Sequence, residues 1–401
     1  MSNNDPLLPL REKVAREGRM RGVGSSFDLS RQSPTRRAVT PHPSASLTPS
    51  PARGEGVHRR AFVGAGFALA ACAPKARGQA PLSLPPLKSV APFPVGTCIQ
   101  ADQLDDPNFA ALVVAQTSQM TPEWELKMEY IVQADGSYRF DAPDRIAAFA
   151  ADHGMRLFGH TLVWYYEKPD AFVRLDGAAF RDAYAAYISA VVGRYKGRAV
   201  AWDVVNEQVA DDGHTLRDSL WSQRLGQIEH MRLAYELAHA ADPDAVLFIN
   251  DYSLEANPAK RATFMAMAES LLKAGAPLMG VGTQTHVPAD LAPGAITAAI
   301  KDLASLGLKV RISEMDVSLV RAAGLVNSRA DLEKRQAALF AEAAEAYAAM
   351  PSHQRFDFTF WGLEDSQSWL VRENAVDTPL LFDNSGRPKP AAAAWEAALR
   401  R

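Results

Sequence analysis

From residue 93 onward one pattern repeats along the chain: a short apolar run of strand type, a polar loop, then a stretch with helical spacing. The expected strands are Phe93–Ile99, Leu112–Ser118, Arg156–Trp164, Ala199–Asn206, Val246–Asp251, Gly280–Thr285, Val310–Glu314 and Phe356–Trp361. Between residues 228 and 241, Met231, Ala234, Tyr235, Ala238 and Ala241 recur at helix spacing, and the Ala-rich stretch 332–350 carries mixed charges on its other side. Stretches 143–153, 180–195, 259–274 and 293–306 fill further helical slots, whereas the first slot is weakly signalled. Eight strand–helix units predict an α/β fold, a single (β/α)8 (TIM) barrel over residues 93–401. A doubly wound open sheet is the alternative, but no Gly-x-Gly-x-x-Gly turn follows a strand to support a nucleotide-binding sheet.

The barrel expectation has a consequence: chemistry belongs at the C-terminal ends of the strands. Composition narrows that chemistry. With 47% hydrophobic and 22% charged residues, 25 Gly and 26 Pro, the chain is neither disordered, collagen-like nor a disulfide scaffold. The net charge of -3 hides an asymmetry: residues 1–80 carry 13 Lys and Arg against 5 Asp and Glu, the rest 30 against 41. An acidic body argues against nucleic acid as partner, because phosphate binding needs clustered cations. No apolar run reaches the roughly 18–20 residues of a membrane span.

The first eighty residues read as a leader. Residues 1–57 are rich in Ser, Pro and Arg without an apolar period, the composition of disorder, and translation starting further down, at Met20, is an alternative to so long a leader. Arg59-Arg60 then precedes the short apolar stretch 61–71, and segment 58–80 resembles a twin-arginine export signal. A short core helix with two solvated arginines is the competing explanation. Gly78-Gln79-Ala80 has the form of a processing site, whereas Leu69-Ala70-Ala71-Cys72 resembles a lipobox that would place a lipid anchor on Cys72. Residues 81–92 are expected as a linker. The protein is expected to be exported to the periplasm, the medium or the cell surface, and to be a monomer. Cys98 reads as a small buried hydrophobe on a strand, with no disulfide required.

The unusual residues sit where the barrel needs them. The fourth expected strand runs Trp202-Asp203-Val204-Val205-Asn206-Glu207 and the seventh Arg311-Ile312-Ser313-Glu314-Met315-Asp316. Both put a carboxylate at the barrel mouth. Two such groups facing each other are the equipment for cleaving a glycosidic bond, one protonating the leaving oxygen while the other attacks the anomeric carbon. An acid that stays protonated and a nucleophile that does not must lie in different surroundings. A lone strand-end Glu is more often a solvated loop residue or a cap, so the company of these two matters.

That company is HTLVW at 160–164, TQTH at 283–286, SEMDV at 313–317 and WGLEDSQSWL at 361–370, together with WDVVNE at 202–207. Five motifs in this order resemble glycoside hydrolase family 10, the (β/α)8 endo-1,4-β-xylanases, over roughly residues 90–400. PLLFD at 379–383 and KPA at 389–391 are similar to the family's ending. The resemblance implies Glu207 as general acid/base and Glu314 as nucleophile of a retaining mechanism. It further implies that Asn206 hydrogen-bonds the sugar 2-hydroxyl and that His286 and Asp316 form a pair holding Glu314 ionised. Glu123, Lys127, His160 and Gln284 would bind sugar, with Trp164, Trp361 and Trp369 as apolar faces for its C–H bonds. It implies no cofactor and no metal. A zinc site at His160 and His286 lacks a third ligand with supporting spacing.

The chain departs from the family in two places. The usual Glu-Asn-x-x-Lys-Trp stands here as Glu123-Trp124-Glu125-Leu126-Lys127-Met128, and HTLVW is followed by Tyr165-Tyr166 where His is commonest. The Asn normally contacts the sugar one unit beyond the cleavage subsite, and an indole accepts no hydrogen bonds. The expectation is a retaining endo-1,4-β-xylanase acting on xylan. Alternatives are a retaining β-glycosidase on short or substituted xylo-oligosaccharides or another β-linked glycan, and, from another class, a non-catalytic carbohydrate-binding surface protein. Loss of catalysis would have been expected to cost at least one of Glu207, Glu314, Asn206, His286 or Asp316.

Overall fold

The computed structural model describes residues 84–322, 328–373 and 376–400. The expectations for a disordered leader, an export signal and a lipid at Cys72 lie outside these residues. Among the described residues nine strands occur: β1 (Val95–Ile99), β2 (Gln119–Pro122), β3 (Arg156–Trp164), β4 (Ala199–Asn206), β5 (Val246–Asp251), β6 (Gly280–Thr283), β7 (His286–Pro288), β8 (Lys309–Ser318) and β9 (Arg355–Phe360). All pair in parallel; β1 to β6 follow chain order, and β6 pairs with β8, β8 with β9 and β9 with β1. These eight close a barrel, and the three-residue β7 merely prolongs β6 along β8.

Two expectations are corrected. Residues 112–118, expected as the second strand, are mostly the end of a helix, Pro107–Gln116, and the strand is the short Gln119–Pro122. Asp106 caps that helix by accepting from the N–H groups of Asn108 and Phe109, and Pro107 opens it. Only Phe109, Ala110 and Val113 of it are buried, which is helical spacing. The stretch 81–92 is not all linker either. Residues 87–90 form a helical turn whose Leu87 is buried in the main core and whose N–H donates to Gln116 Oε1 at 2.9 Å.

Strand alternation sorts side chains to two cores. One set, including Leu157, Trp202, Leu247 and Val281, packs against the surrounding helices. The other fills the barrel: Phe158, Ala201 and Phe248 cluster with Phe356 beneath the site. Arg311 lies over this aromatic floor, 3.5 Å from the Phe158 ring, and donates to Asp203 Oδ2 at 3.1 Å and Asp357 Oδ1 at 3.2 Å. Two glycines make room for the filling. A Cβ on Gly280 would lie 2.2 Å from the Phe248 ring, and one on Gly282 2.5 Å from Asn250 Oδ1. Aromatic floor and buried ion layer close the barrel from below, so its open face is the C-terminal one.

Candidate active site

Glu207 follows β4 and adopts a left-handed backbone (φ 58°), its N–H donating to the Asn250 carbonyl at 2.8 Å. Ser253 and Thr285, just beyond β5 and β6, share that conformation at φ 58° and 59°. Non-glycine residues avoid this region, and for a β-branched Thr the cost is highest. At Thr285 the strain is compensated: its hydroxyl and that of Thr283 both donate to the buried Glu255 carboxylate. The bend this creates separates β6 from β7 and aims Gln284 and His286 into the same cleft.

The two carboxylates find different environments there. Glu207 Oε1 accepts from Gln284 Nε2 and Oε2 from the Trp164 indole N–H, both at 2.9 Å. Glu314, on β8, accepts from Asn250 Nδ2 at 2.8 Å on Oε1 and faces His286 Nε2 at 3.3 Å on Oε2. His286 Nδ1 in turn lies 2.7 Å from Asp316 Oδ2, which also accepts from the Trp369 indole at 2.8 Å. Burial alone would lower the His286 pKa, but the Asp316 and Glu314 charges overcome it and raise it to about 9, so the ring is an imidazolium at neutral pH. Burial would likewise raise Glu314; the His286 hydrogen bond, with the positive charges of His160, His286 and Lys127, instead lowers it to about 2. Glu314 is a standing carboxylate.

Around this pair the cleft is lined by Glu123, Trp124, Lys127, His160, Trp164, Asn206, Gln284, His286, Trp361 and Trp369. Every side chain expected to act in catalysis or bind sugar is therefore at the cleft except Asp316, which lies behind His286. Their duties differ in detail from a simple lining. Glu123 is already engaged, accepting from Gln100 Nε2 at 2.9 Å and pairing with Arg372. Lys127 lies over the Trp124 ring at 4.1 Å and the Trp164 ring at 4.7 Å, a cation between two indole faces. Trp369 spends its N–H on Asp316 and so orients the histidine pair as well as walling the cleft.

Several participants escaped the sequence reading. Asp203 accepts from His160 Nδ1 at 2.9 Å and from Arg311, fixing the ring so that Nε2 is its remaining nitrogen. Buried Glu167 accepts from the Met128 N–H at 2.6 Å, and Glu125 from the Ala101 N–H at 2.7 Å. Burial, the largest effect on each, raises their pKa values to about 8 and about 7. These two carboxyls pin the loop that carries Glu123, Trp124 and Lys127. Asn250 bridges Glu314 and Asn206. Each is a polar residue within an apolar strand or loop, a signal the sequence does contain but shares with ordinary caps. Among the described residues no group of three or more His, Cys, Asp or Glu could hold a metal ion.

A closed (β/α)8 barrel with two buried carboxylates in unlike surroundings at its C-terminal mouth, flanked by indoles, defines the class of barrel glycoside hydrolases. Residues 87–398 match the glycosyl hydrolase family 10 model, and the chain belongs to that family. It is 33% identical over 77% of its length to the endo-1,4-beta-xylanase of Geobacillus stearothermophilus, covering 97% of that protein. It is 34% identical over 75% of its length to Exoglucanase XynX of Acetivibrio thermocellus, of which it spans only 28%. Among solved structures, xylanase 10B from Thermotoga petrophila RKU-1 in complex with xylobiose superposes with a TM-score of 0.73 at 29% identity, covering 80% of this chain and 98% of that one.

Proposed function

We propose that the protein is a retaining endo-1,4-β-xylanase that hydrolyses xylan by double displacement. The observation that carries this reading is the inequality of the two carboxyls, one locked as an anion by His286 and Asp316, the other held by neutral N–H donors. Glu207 gives its proton to the glycosidic oxygen as Glu314 attacks the anomeric carbon, leaving a glycosyl ester on Glu314. Water then attacks the same carbon, Glu207 takes back a proton, and Glu314 leaves as carboxylate. Asn206 meets the sugar 2-hydroxyl, and the indoles of Trp164, Trp361 and Trp369 pack on the ring faces. The activities of the xylanase relatives support xylan as the substrate class.

A second reading of the substrate is favoured by one observation. Trp124 stands over Lys127, and Glu123 is tied to Arg372, so the end of the cleft beyond the cleavage subsite offers an indole and an occupied carboxylate. Short or decorated xylo-oligosaccharides, or another β-linked glycan, suit that end better than long bare xylan. Export through segment 58–80 would bring the enzyme to a polymer outside the cell. The test follows the anomer of fresh product by NMR on xylan and on xylo-oligosaccharides. Initial β-anomers support retention on xylan; no turnover of any xylan substrate transfers the reading to other β-glycans.

A further inference from the structure

Between the two carboxylates runs an unbroken bridge of side-chain amides. Asn250 uses both hydrogens of Nδ2, one on Glu314 Oε1 at 2.8 Å and the other on Asn206 Oδ1 at 3.1 Å. Asn206 Oδ1 also accepts from Gln284 Nε2 at 3.4 Å, and that same nitrogen donates to Glu207 Oε1 at 2.9 Å. The far end of Asn250 is fixed too, since its Oδ1 accepts from the Ser313 hydroxyl at 2.7 Å. Asn250 and Ser313 are fully buried, and residue 282 is glycine where any Cβ would lie 2.5 Å from Asn250 Oδ1.

These contacts leave the amide one orientation. Turned over, Asn250 would set its oxygen against Glu314 Oε1 and Asn206 Oδ1, acceptor against acceptor. With Oδ1 of Asn206 already taken twice, the end that Asn206 offers the cleft is its Nδ2 donor. We propose that Asn250 is a positioning residue of the reaction, holding the nucleophile Glu314 and turning Asn206 donor-first toward the sugar 2-hydroxyl. This rests on the glycosidase reading above. Ser313 acts one step further back by holding the far end of Asn250 in place through Oδ1.

The test compares the full-length protein with Asn250→Ala and Ser313→Ala on 4-nitrophenyl β-xylobioside and on its analogue lacking the 2-hydroxyl of the reacting sugar. Asn250→Ala lowers kcat about 100-fold on the first substrate with KM within about threefold, the size of losing one preorganised donor. On the 2-deoxy analogue the loss shrinks, because no 2-hydroxyl is there for Asn206 to meet. The acid limb of kcat/KM moves up by about one pH unit as Glu314 loses a donor to its charged form. Ser313→Ala, which leaves Asn250 in place and removes only a hydroxyl, gives a smaller loss in the same pattern and decides the matter should Asn250→Ala not fold. Unchanged kcat and acid limb in the folded variants would overturn the proposal, as would equal losses on both substrates. Carboxyl 13C titration of Glu314, assigned by its disappearance in Glu314→Gln, needs no substrate. A raised Glu314 pKa in Asn250→Ala with no wild-type turnover of xylosides would reject xylan as substrate and keep the role of Asn250 toward Glu314.

Discussion

Replacing Asp316 with Asn keeps the shape and an acceptor oxygen for His286 Nδ1 and the Trp369 indole but removes the charge. That charge is the largest influence holding His286 cationic against burial, ahead of Glu314; together they raise its pKa from 6.5 to about 9, roughly 3 kcal/mol favouring imidazolium at about 1.4 kcal/mol per pH unit. Without it the buried ring is neutral at pH 7, keeps its one proton on Nδ1 for the substituted amide oxygen, and turns an Nε2 lone pair toward Glu314 Oε2. Glu314 then loses a charge-assisted hydrogen bond, worth about 1.5–3 kcal/mol, or about 10- to 150-fold in kcat at neutral pH. Its pKa climbs from about 2 toward the ordinary 4.5, and the acid limb of kcat/KM follows. The assay is a pH–rate profile on a xylo-oligosaccharide for wild type and Asp316→Asn. A limb that stays in place together with kcat within about threefold of wild type would refute the electrostatic account of Glu314. Stability carries the same signature. The folded His286 value lies above the unfolded one, so its contribution is complete below pH 6.5 and fades as pH rises toward about 9. Glu314 contributes above pH 4.5 and loses that contribution as pH falls toward about 2. Asp316→Asn flattens the alkaline decline.

Other outcomes are equally open to measurement. Glu207→Ala slows cleavage of unactivated xylosidic bonds by about 10²–10⁴ while a dinitrophenyl leaving group, which needs no proton, still forms the glycosyl enzyme; equal losses on both would contradict the acid role. Glu314→Ala retains glycan binding by calorimetry and shows no turnover, separating an enzyme from a binding protein. Trp124→Asn shifts the lengths of released xylo-oligosaccharides, and an identical product pattern would reject a role for this indole in the distal subsite. Gly159→Ala places a Cβ 2.1 Å from the Trp202 ring, and urea unfolding registers a loss of about 1–3 kcal/mol for such overpacking.

Much of the site was legible because barrel chemistry concentrates at strand ends, where an apolar run that stops on Asn206-Glu207 or Glu314 stands out. All five motifs converge on one cleft. What stayed hidden was hidden for physical reasons. The run Leu112-Val113-Val114-Ala115 reads as a buried strand because a short apolar stretch carries no period of its own. The cue that settles it, Asp106-Pro107, lies upstream as cap and first turn. Asn250 was invisible as a bridge because its meaning depends on Gly282 making room and Ser313 holding its far end, both from other strands. Glu255 and Asp203 likewise act through partners distant in sequence.

Where helices return to strands ahead of β3, β4, β6 and β8, the left-handed positions are filled by Gly154, Gly197, Gly275 and Gly307, to which that conformation costs nothing in sterics. At the opposite rim Glu207, Ser253 and Thr285 take it instead. The barrel thus has a relaxed end and a tense end, and adaptation to heat is channelled accordingly. Sequence change that hardens the molecule is free to accumulate around the relaxed rim. At the tense rim, substituting glycine for Thr285 would ease the chain but forfeit the tether to Glu255, so thermal gain and turnover pull against each other there.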